Sequence, residues 1–196
     1  MTMGGAADQA RTAAGPGRPR AWLAAPLIAG AAVTAALYIF GTDHTPDYYT
    51  SLFGQTGPDT LPLKSWLATG LLSLATVQLL LALWMYGRIH GLSAVRGIAG
   101  THRTVGLVAL LLSLPIAYHC AFAYGVQTKT DTRIAVHSVA GCFLYGAFAA
   151  KVTIVRARRL PGWSLPVVGG LLVTVVAVLW YTSSLWYFDG YSLPSL

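Results

Sequence analysis

Two histidines, His119 and His137, are the residues of this chain whose type and spacing best suit chemistry. Each lies near one end of an apolar stretch, and the short segment 125–132 joins those two ends. At a rise of ~1.5 Å per residue, His119 lies about 7.5 Å and His137 about 6 Å from this connection, so the two imidazoles are predicted at the same depth. An ionisable residue within a lipid-embedded stretch is costly and by default marks a function.

Two imidazoles at equal depth on adjacent antiparallel helices are typical of the axial ligands of a haem iron. The alternative is that each histidine forms a hydrogen bond across the bundle, which is worth only ~0.6 to 2 kcal/mol in a membrane. A zinc or copper site is less favoured, because no acid or well-placed cysteine is predicted at that depth. There is no C-x-x-C-H motif for covalent attachment. We therefore interpret His119 and His137 as ligands of a b-type haem.

The helix that carries His137 has a stripe of residues that suits the same cofactor. Arg133, His137, Gly141 and Tyr145 recur at every fourth position and therefore share one helical face. Arg133 is predicted to pair with a haem propionate, and Gly141 has no side chain, which leaves room for the macrocycle. Lys129, in the connection before this helix, is predicted to bind the other propionate.

A second pair of histidines, His90 and His102, is predicted at the opposite membrane face. They follow one apolar stretch and open the next, close to several arginines. They either ligate a second haem or belong to a solvated basic turn, since histidine is inexpensive at the interface. His102 and His119 are 17 residues apart, which is ~25 Å along a helix axis. The sequence predicts one haem and leaves a second as an open alternative.

The elements that must position these residues are membrane-spanning helices. Of the 196 residues, 55% are hydrophobic and 10% are charged, which leaves too little polar surface to cover a soluble globule. A span needs roughly 20 mostly apolar residues. Segments that qualify lie at residues 22–40, 65–87, 102–124, 133–155 and 165–187. They are apolar all round, which favours helices over the alternating strands of a barrel. The predicted fold is an all-α polytopic membrane protein, a five-transmembrane-helix bundle.

Basic residues near the helix ends predict the orientation. They concentrate before the first helix, after the second and after the fourth, whereas the other connections hold only Lys64, or Lys129 with Arg133. The positive-inside rule then places the amino terminus in the cytoplasm and the carboxyl terminus outside. These flanks account for the formal charge of +7, so no nucleic-acid partner is needed. Residues 1–20 are predicted to be a disordered basic cytoplasmic tail, and residues 21–196 a single transmembrane helical domain.

Short motifs in the middle of the chain resemble those of known membrane cytochromes. The run GTHRTVG at 100–106, which leads to His119, and the run HSVAG at 137–141 resemble the His-Arg and His-x-x-x-Gly helices of ascorbate-reducible transmembrane dihaem cytochromes b and ferric-reductase-like membrane domains. The resemblance covers the second to fourth helices and implies electron transfer between two bis-histidine haems. By position, His119 and His137 match the outer ligands, and His90 and His102 are the nearest match to an inner pair.

In two respects the chain differs from that pattern or extends beyond it. The fourth helix has Lys151 at its cytoplasmic end, where those families commonly take a further histidine ligand. The Ala, Gly and Arg bias also resembles that of small uncharacterised membrane proteins of high-GC bacteria. The resemblance therefore implies an outer haem more directly than an inner one.

Taken together, the sequence predicts a multi-pass plasma-membrane module that transfers electrons through at least one haem b. Bis-imidazole ligation fills both axial positions, so the iron changes oxidation state and does not bind oxygen. A membrane or cytoplasmic donor and an outer acceptor are implied, with a redox protein or quinone as partner, and whether the chain is an oxidoreductase component stays open. The alternative is a haem-free structural or accessory subunit of a larger membrane complex. Assembly into a membrane complex or a homo-oligomer is left open. Motifs for nucleotide binding or hydrolysis are absent from the sequence.

Overall fold

The computed structural model describes residues 21–91, 93, 95–157 and 160–192, with side chains from residue 24 onward. Within these ranges the protein is helical and has no β-strand. The predicted disordered tail, residues 1–20, lies outside the described residues, as do two of the arginines that follow the fourth helix, Arg158 and Arg159.

Five long helices make up the described part of the chain. They are α1 (Ala21–Asp43), α2 (Thr60–Met85), α3 (Ile98–His119), α4 (Thr132–Arg156) and α5 (Ser164–Trp180). Together with their extensions, all five are long and apolar enough to cross a membrane. The predicted all-α five-helix bundle is confirmed, and the protein is a multi-pass membrane protein. A lipid environment explains why large apolar side chains such as Leu27, Ile28 and Leu111 are exposed.

Two helices continue as π-helical turns, which the sequence did not predict. Cys120–Tyr124 extends α3, and Tyr181–Leu185 extends α5 and leads into a last helical turn, Trp186–Phe188. π-turns are rare and often lie at functional sites. Both turns lie at the end of the bundle where α3 ends and α4 begins. We name it the outer end, after the predicted topology, and its opposite the inner end.

Helix α2 begins five residues before the predicted start at residue 65. The Thr60 hydroxyl donates a hydrogen bond to the Gly57 carbonyl at 2.8 Å, which closes the turn that leads into the helix. Pro62 falls in the first helical turn, where its missing N–H removes no helical hydrogen bond. Lys64, predicted in the preceding connection, therefore lies on α2.

The packing of the helices differs from their order in the chain. Helix α1 packs along α4, α4 along α5, α5 along α2 and α2 along α3. Within the described residues, α3 and α4 make at most isolated backbone contacts. The two helices that carry His119 and His137 are therefore not the adjacent pair that the short connection between them suggested.

Small residues explain why α1, rather than α3, packs closely on α4. A Cβ added to Gly30 would lie 3.0 Å from the Gly146 carbonyl oxygen, and one added to Gly146 would collide with the side chain of Thr34. Such glycines allow close backbone approach between helices in a membrane. At the outer end α1 also reaches the end of α3, since the Val126 N–H donates to the Gly41 carbonyl at 2.7 Å.

Candidate cofactor site at the outer end

His119 is a buried imidazole without a hydrogen-bond partner. Its side chain is 1% exposed, and neither Nδ1 nor Nε2 forms a hydrogen bond of normal geometry within the described part of the chain, although the backbone of Thr50 lies near enough to interact with the ring. Its ring contacts the ring of Tyr124 edge to face, with centroids 5.6 Å apart. Leaving a buried polar group unsatisfied costs roughly 1–3 kcal/mol. Two free ring nitrogens in such surroundings are suited to binding a ligand that supplies the missing interaction.

His137 differs from His119, because one of its nitrogens is held by the π-turn of α5. Its Nδ1 lies 3.0 Å from Oγ1 of Thr182. The Thr182 hydroxyl donates a hydrogen bond to the Val178 carbonyl at 2.8 Å, so its oxygen accepts a hydrogen bond from Nδ1–H of His137. The neutral ring then carries its lone pair on Nε2. Metal-binding histidines are typically oriented in this way by an acceptor at the other nitrogen.

Arg133, one turn before His137, reaches the same π-turn. Its Nη1 donates to the backbone carbonyl of Thr182 at 2.8 Å, and its guanidinium lies over the Trp186 ring at 3.9 Å. The start of α4 is fixed by Asp131, whose carboxylate accepts hydrogen bonds from the backbone N–H of Arg133 at 2.7 Å and of Ile134 at 3.3 Å. The predicted face of α4 that bears Arg133 and His137 therefore packs on the end of α5.

Lys64 lies beside the tyrosine that contacts His119, and it was not predicted as a site residue from the sequence. Its Nζ lies 3.2 Å from the Tyr124 hydroxyl and 4.3 Å from the centre of that ring. The same tyrosine contacts the His119 ring. The positive charge of Lys64 also interacts electrostatically with the imidazoles of His119 and His137. Two groups of residues at the outer end, Lys64 with Tyr124 and His119, and Arg133 with Thr182 and His137, are together named the outer cluster below.

The remaining members of the α4 stripe lie deeper in the bundle. A Cβ added to Gly141 would meet no atom within 4 Å, so there is open space on the face that carries His137. The Tyr145 hydroxyl lies 3.1 Å from the carbonyl and 3.0 Å from the hydroxyl oxygen of Ser113. Tyr145 thus spans the distance between α4 and α3, which do not pack along each other.

Lys129, predicted to bind a propionate, is not part of the outer cluster. It is exposed in the connection between α3 and α4, where it lines a shallow surface depression with Asp131. A second depression lies beside Phe53 and Leu63. Neither depression is lined by His119 or His137. Support for a cofactor therefore comes from the free imidazole nitrogens and not from an aqueous pocket.

Over the residues described, the two histidines of the inner end have fewer contacts with other polar side chains than the two histidines of the outer end. His90 is exposed in the turn that follows α2. His102 is partly buried, with an Nδ1 that has no partner in the described chain, and its carbonyl accepts a hydrogen bond from the side chain of Gln78. The positive charge of Lys151 interacts electrostatically with the His102 imidazole. The two inner histidines share no hydrogen-bond partner within the described residues.

The ligand set narrows the kind of metal site that fits. Among the described residues, no three side chains of His, Cys, Asp or Glu converge as a metal-binding group. Structural zinc sites use four protein ligands and catalytic ones three, whereas a haem iron needs only its axial ligands from the protein. Two imidazoles suit the iron of a haem, and nearby cationic side chains suit the carboxylates of its propionates.

Comparison with known proteins places the chain in a family without assigning it an activity. No curated protein and no solved structure matches it. A family of unknown function, DUF6529, matches residues 23–195, a range that includes every residue of the outer cluster and nearly all of the five helices. The chain belongs to the DUF6529 family.

Proposed function

We propose that this protein is a b-type cytochrome of the plasma membrane, which binds one haem b at the outer cluster and transfers electrons to an acceptor outside the cell. The state of the two imidazoles carries the proposal. His119 is 1% exposed and both its nitrogens lack partners, and His137 is held through Nδ1, which leaves Nε2 as the free donor. Hydrogen-bonding histidines that serve only as interhelical contacts would have their nitrogens satisfied.

Each residue of the cluster has a task in this proposal. His119 and His137 bind the iron, and when bound the haem supplies a one-electron redox couple. Thr182 keeps the proton of His137 on Nδ1 and fixes the plane of the ring. Arg133 offers a guanidinium to a propionate, and the absence of a side chain at Gly141 leaves space beside His137.

The same features indicate the partners. If His119 and His137 both held the iron, it would have no open position for a substrate, and electrons would have to come from and pass to other redox groups. The outer cluster lies close to the connection between α3 and α4, where an outer redox protein can approach. A membrane quinone supplies the electrons, because a single haem at the outer end leaves no redox group in this chain to carry them from the cytoplasmic side. The chain is then an electron-transfer component of an oxidoreductase system.

We propose one haem and not two. At the inner end His102 is partly buried, but His90 is exposed and shares no partner with it. A haem iron held by a single buried histidine would lack its second axial ligand from this pair.

Visible absorption of the purified, detergent-solubilised protein tests the proposal. The wild type is expected to show a haem spectrum that sharpens on reduction with dithionite. His119→Ala and His137→Ala are each expected to remove it, because each deletes an axial ligand, whereas the matched control His90→Ala retains it. A wild type without haem after expression in haem-replete cells would favour the haem-free accessory subunit instead. Variants with an unchanged spectrum would show that the haem is not bound by His119 and His137.

A further inference from the structure

We propose that Lys64 and Arg133 form the carboxylate-binding side of the outer cluster and hold the two propionates of the haem. This proposal rests on the function proposed above and assigns to Lys64 the role that the sequence suggested for Lys129. It names a ligand-binding residue on α2, a helix from which the sequence predicted no site residue.

An aromatic ring holds each of the two cations in a position where it can bind a carboxylate. Lys64 lies over Tyr124 at 4.3 Å and Arg133 over Trp186 at 3.9 Å. Cation–π contacts of this kind hold a charged group in place and leave its outward hydrogen atoms free. Arg133 uses one nitrogen at the Thr182 carbonyl, which leaves the rest of its planar fork for a carboxylate.

Neither cation forms an ion pair with a carboxylate among the described residues. The acid nearest to Arg133 in the chain, Asp131, is occupied with backbone N–H groups at the start of α4, although its charge also acts on Arg133. The positive charges of both Lys64 and Arg133 act on His137. Unbalanced cations near a partly buried site are costly. Two carboxylates at the edge of the bound cofactor would balance these two cations.

The position of Lys129 makes it the weaker candidate. It is exposed in the outer connection, so solvent and salt screen its charge. Lys64 is partly buried and lies on the tyrosine that contacts His119. A propionate paired with Lys64 is therefore held in a less solvated setting, where a charge-assisted hydrogen bond is stronger.

Binding of haem and of haem dimethyl ester to the apoprotein separates these roles. The ester keeps the iron and the ring but has no free carboxylates. The full-length wild type is expected to prefer haem over the ester. Lys64→Gln is expected to lose about tenfold of that preference, which is ~1.4 kcal/mol, because it removes one charge-assisted hydrogen bond to a propionate. Lys129→Gln is the matched control and should retain the preference. Lys64→Arg should retain it too, and Lys64→Met, with a similar stem length, should behave as Lys64→Gln.

The outcomes distinguish this proposal from the one on which it rests. If the wild type binds haem and its ester equally well, or if Lys129→Gln and not Lys64→Gln loses the preference, the assignment of Lys64 is overturned while the haem site stands. If the wild type binds neither compound, the proposed function fails and the assignment fails with it. The wild-type comparison needs no substitution, so it decides the point even where a Lys64 variant does not fold.

Discussion

The outer and inner ends of the bundle look alike in the sequence and differ in the structure. Each end has a pair of histidines near basic residues. At the outer end, α2, α3, α4 and the π-turn of α5 all contribute to the surroundings of His119 and His137. At the inner end His90 is exposed in a turn. Two matched histidines therefore suggest a site, but the other helices decide whether the pair is buried and oriented.

The π-turns mark the same difference. Within the described residues, both of them lie at the outer end. One follows His119 directly, and the other carries Thr182, which orients His137. Hydroxyl groups of Thr182 and Ser183 donate to carbonyls of the preceding turn of α5 at 2.8 and 2.6 Å, and such bonds bend or distort helices. The π-helical turns thus coincide with the end of the bundle that holds His119 and His137.

The largest contrast is expected from deleting a ligand and replacing it from solution. His119→Gly should lose haem, and free imidazole should restore the spectrum, because the small molecule can occupy the space and bind the iron. His102→Gly, at the inner end, should keep its haem and be insensitive to imidazole. Absorption spectra with and without imidazole measure both effects. Restoration by imidazole at His102→Gly alone would reverse the comparison between the two ends.

Loss of the hydrogen bond that orients His137 should have a smaller effect on haem binding. Thr182→Val keeps the size of the side chain but removes the acceptor for Nδ1, and loss of such supporting hydrogen bonds typically weakens metal binding about 10–100-fold. Thr182→Ser keeps a hydroxyl and should bind nearly as well as the wild type. Haem titration of the apoprotein gives the affinities. Equal affinity for the valine and serine variants would mean that Thr182 does not support the ligand.

Substitution of two glycines of α4 distinguishes a loss of space for the cofactor from a loss of packing between helices. Gly146→Val should destabilise the apoprotein by about 1–3 kcal/mol, since the added atoms overpack the contact with α1. Gly141→Val should leave apoprotein stability nearly unchanged, because nothing lies within 4 Å of an added Cβ, yet it should weaken haem binding. Thermal unfolding and haem titration of both variants test this. A Gly141→Val protein with normal haem affinity would show that the open face of α4 does not adjoin the cofactor.

The smallest effect is expected at the exposed inner histidine. Because the His90 side chain is exposed, His90→Ala should change unfolding free energy by less than about 0.5 kcal/mol and leave haem content unchanged. Haem extracted per mole of purified protein is the measurement. A fall to half of the wild-type content would instead establish an inner haem that uses this residue.

The sequence was sufficient for the helices and for part of the site. Hydropathy predicted five spans, and the four-residue spacing of Arg133 and His137 predicted a shared face that both residues use to reach Thr182. The neighbour of α4 was predicted wrongly, because a short connection suggests adjacent helices whereas Gly30 and Gly146 select α1.

Three residues of the outer cluster, Lys64, Tyr124 and Thr182, were not predicted from the sequence. Lys64 escaped because α2 begins at Thr60, before the apolar run that marked its start. Thr182 escaped because hydropathy contains no signal for a π-turn. A lysine one turn inside a membrane helix is the feature that deserved interpretation as a site residue, since such a charge needs a partner.

The amount of haem bound per chain tests the central claim most directly. Non-covalent haem extracted from the purified protein, together with iron measured by elemental analysis, should give one haem b per chain. It should fall to zero in the double variant His119→Ala/His137→Ala and stay at one in His90→Ala/His102→Ala. No haem in the wild type, or haem retained in the outer double variant, would contradict the account.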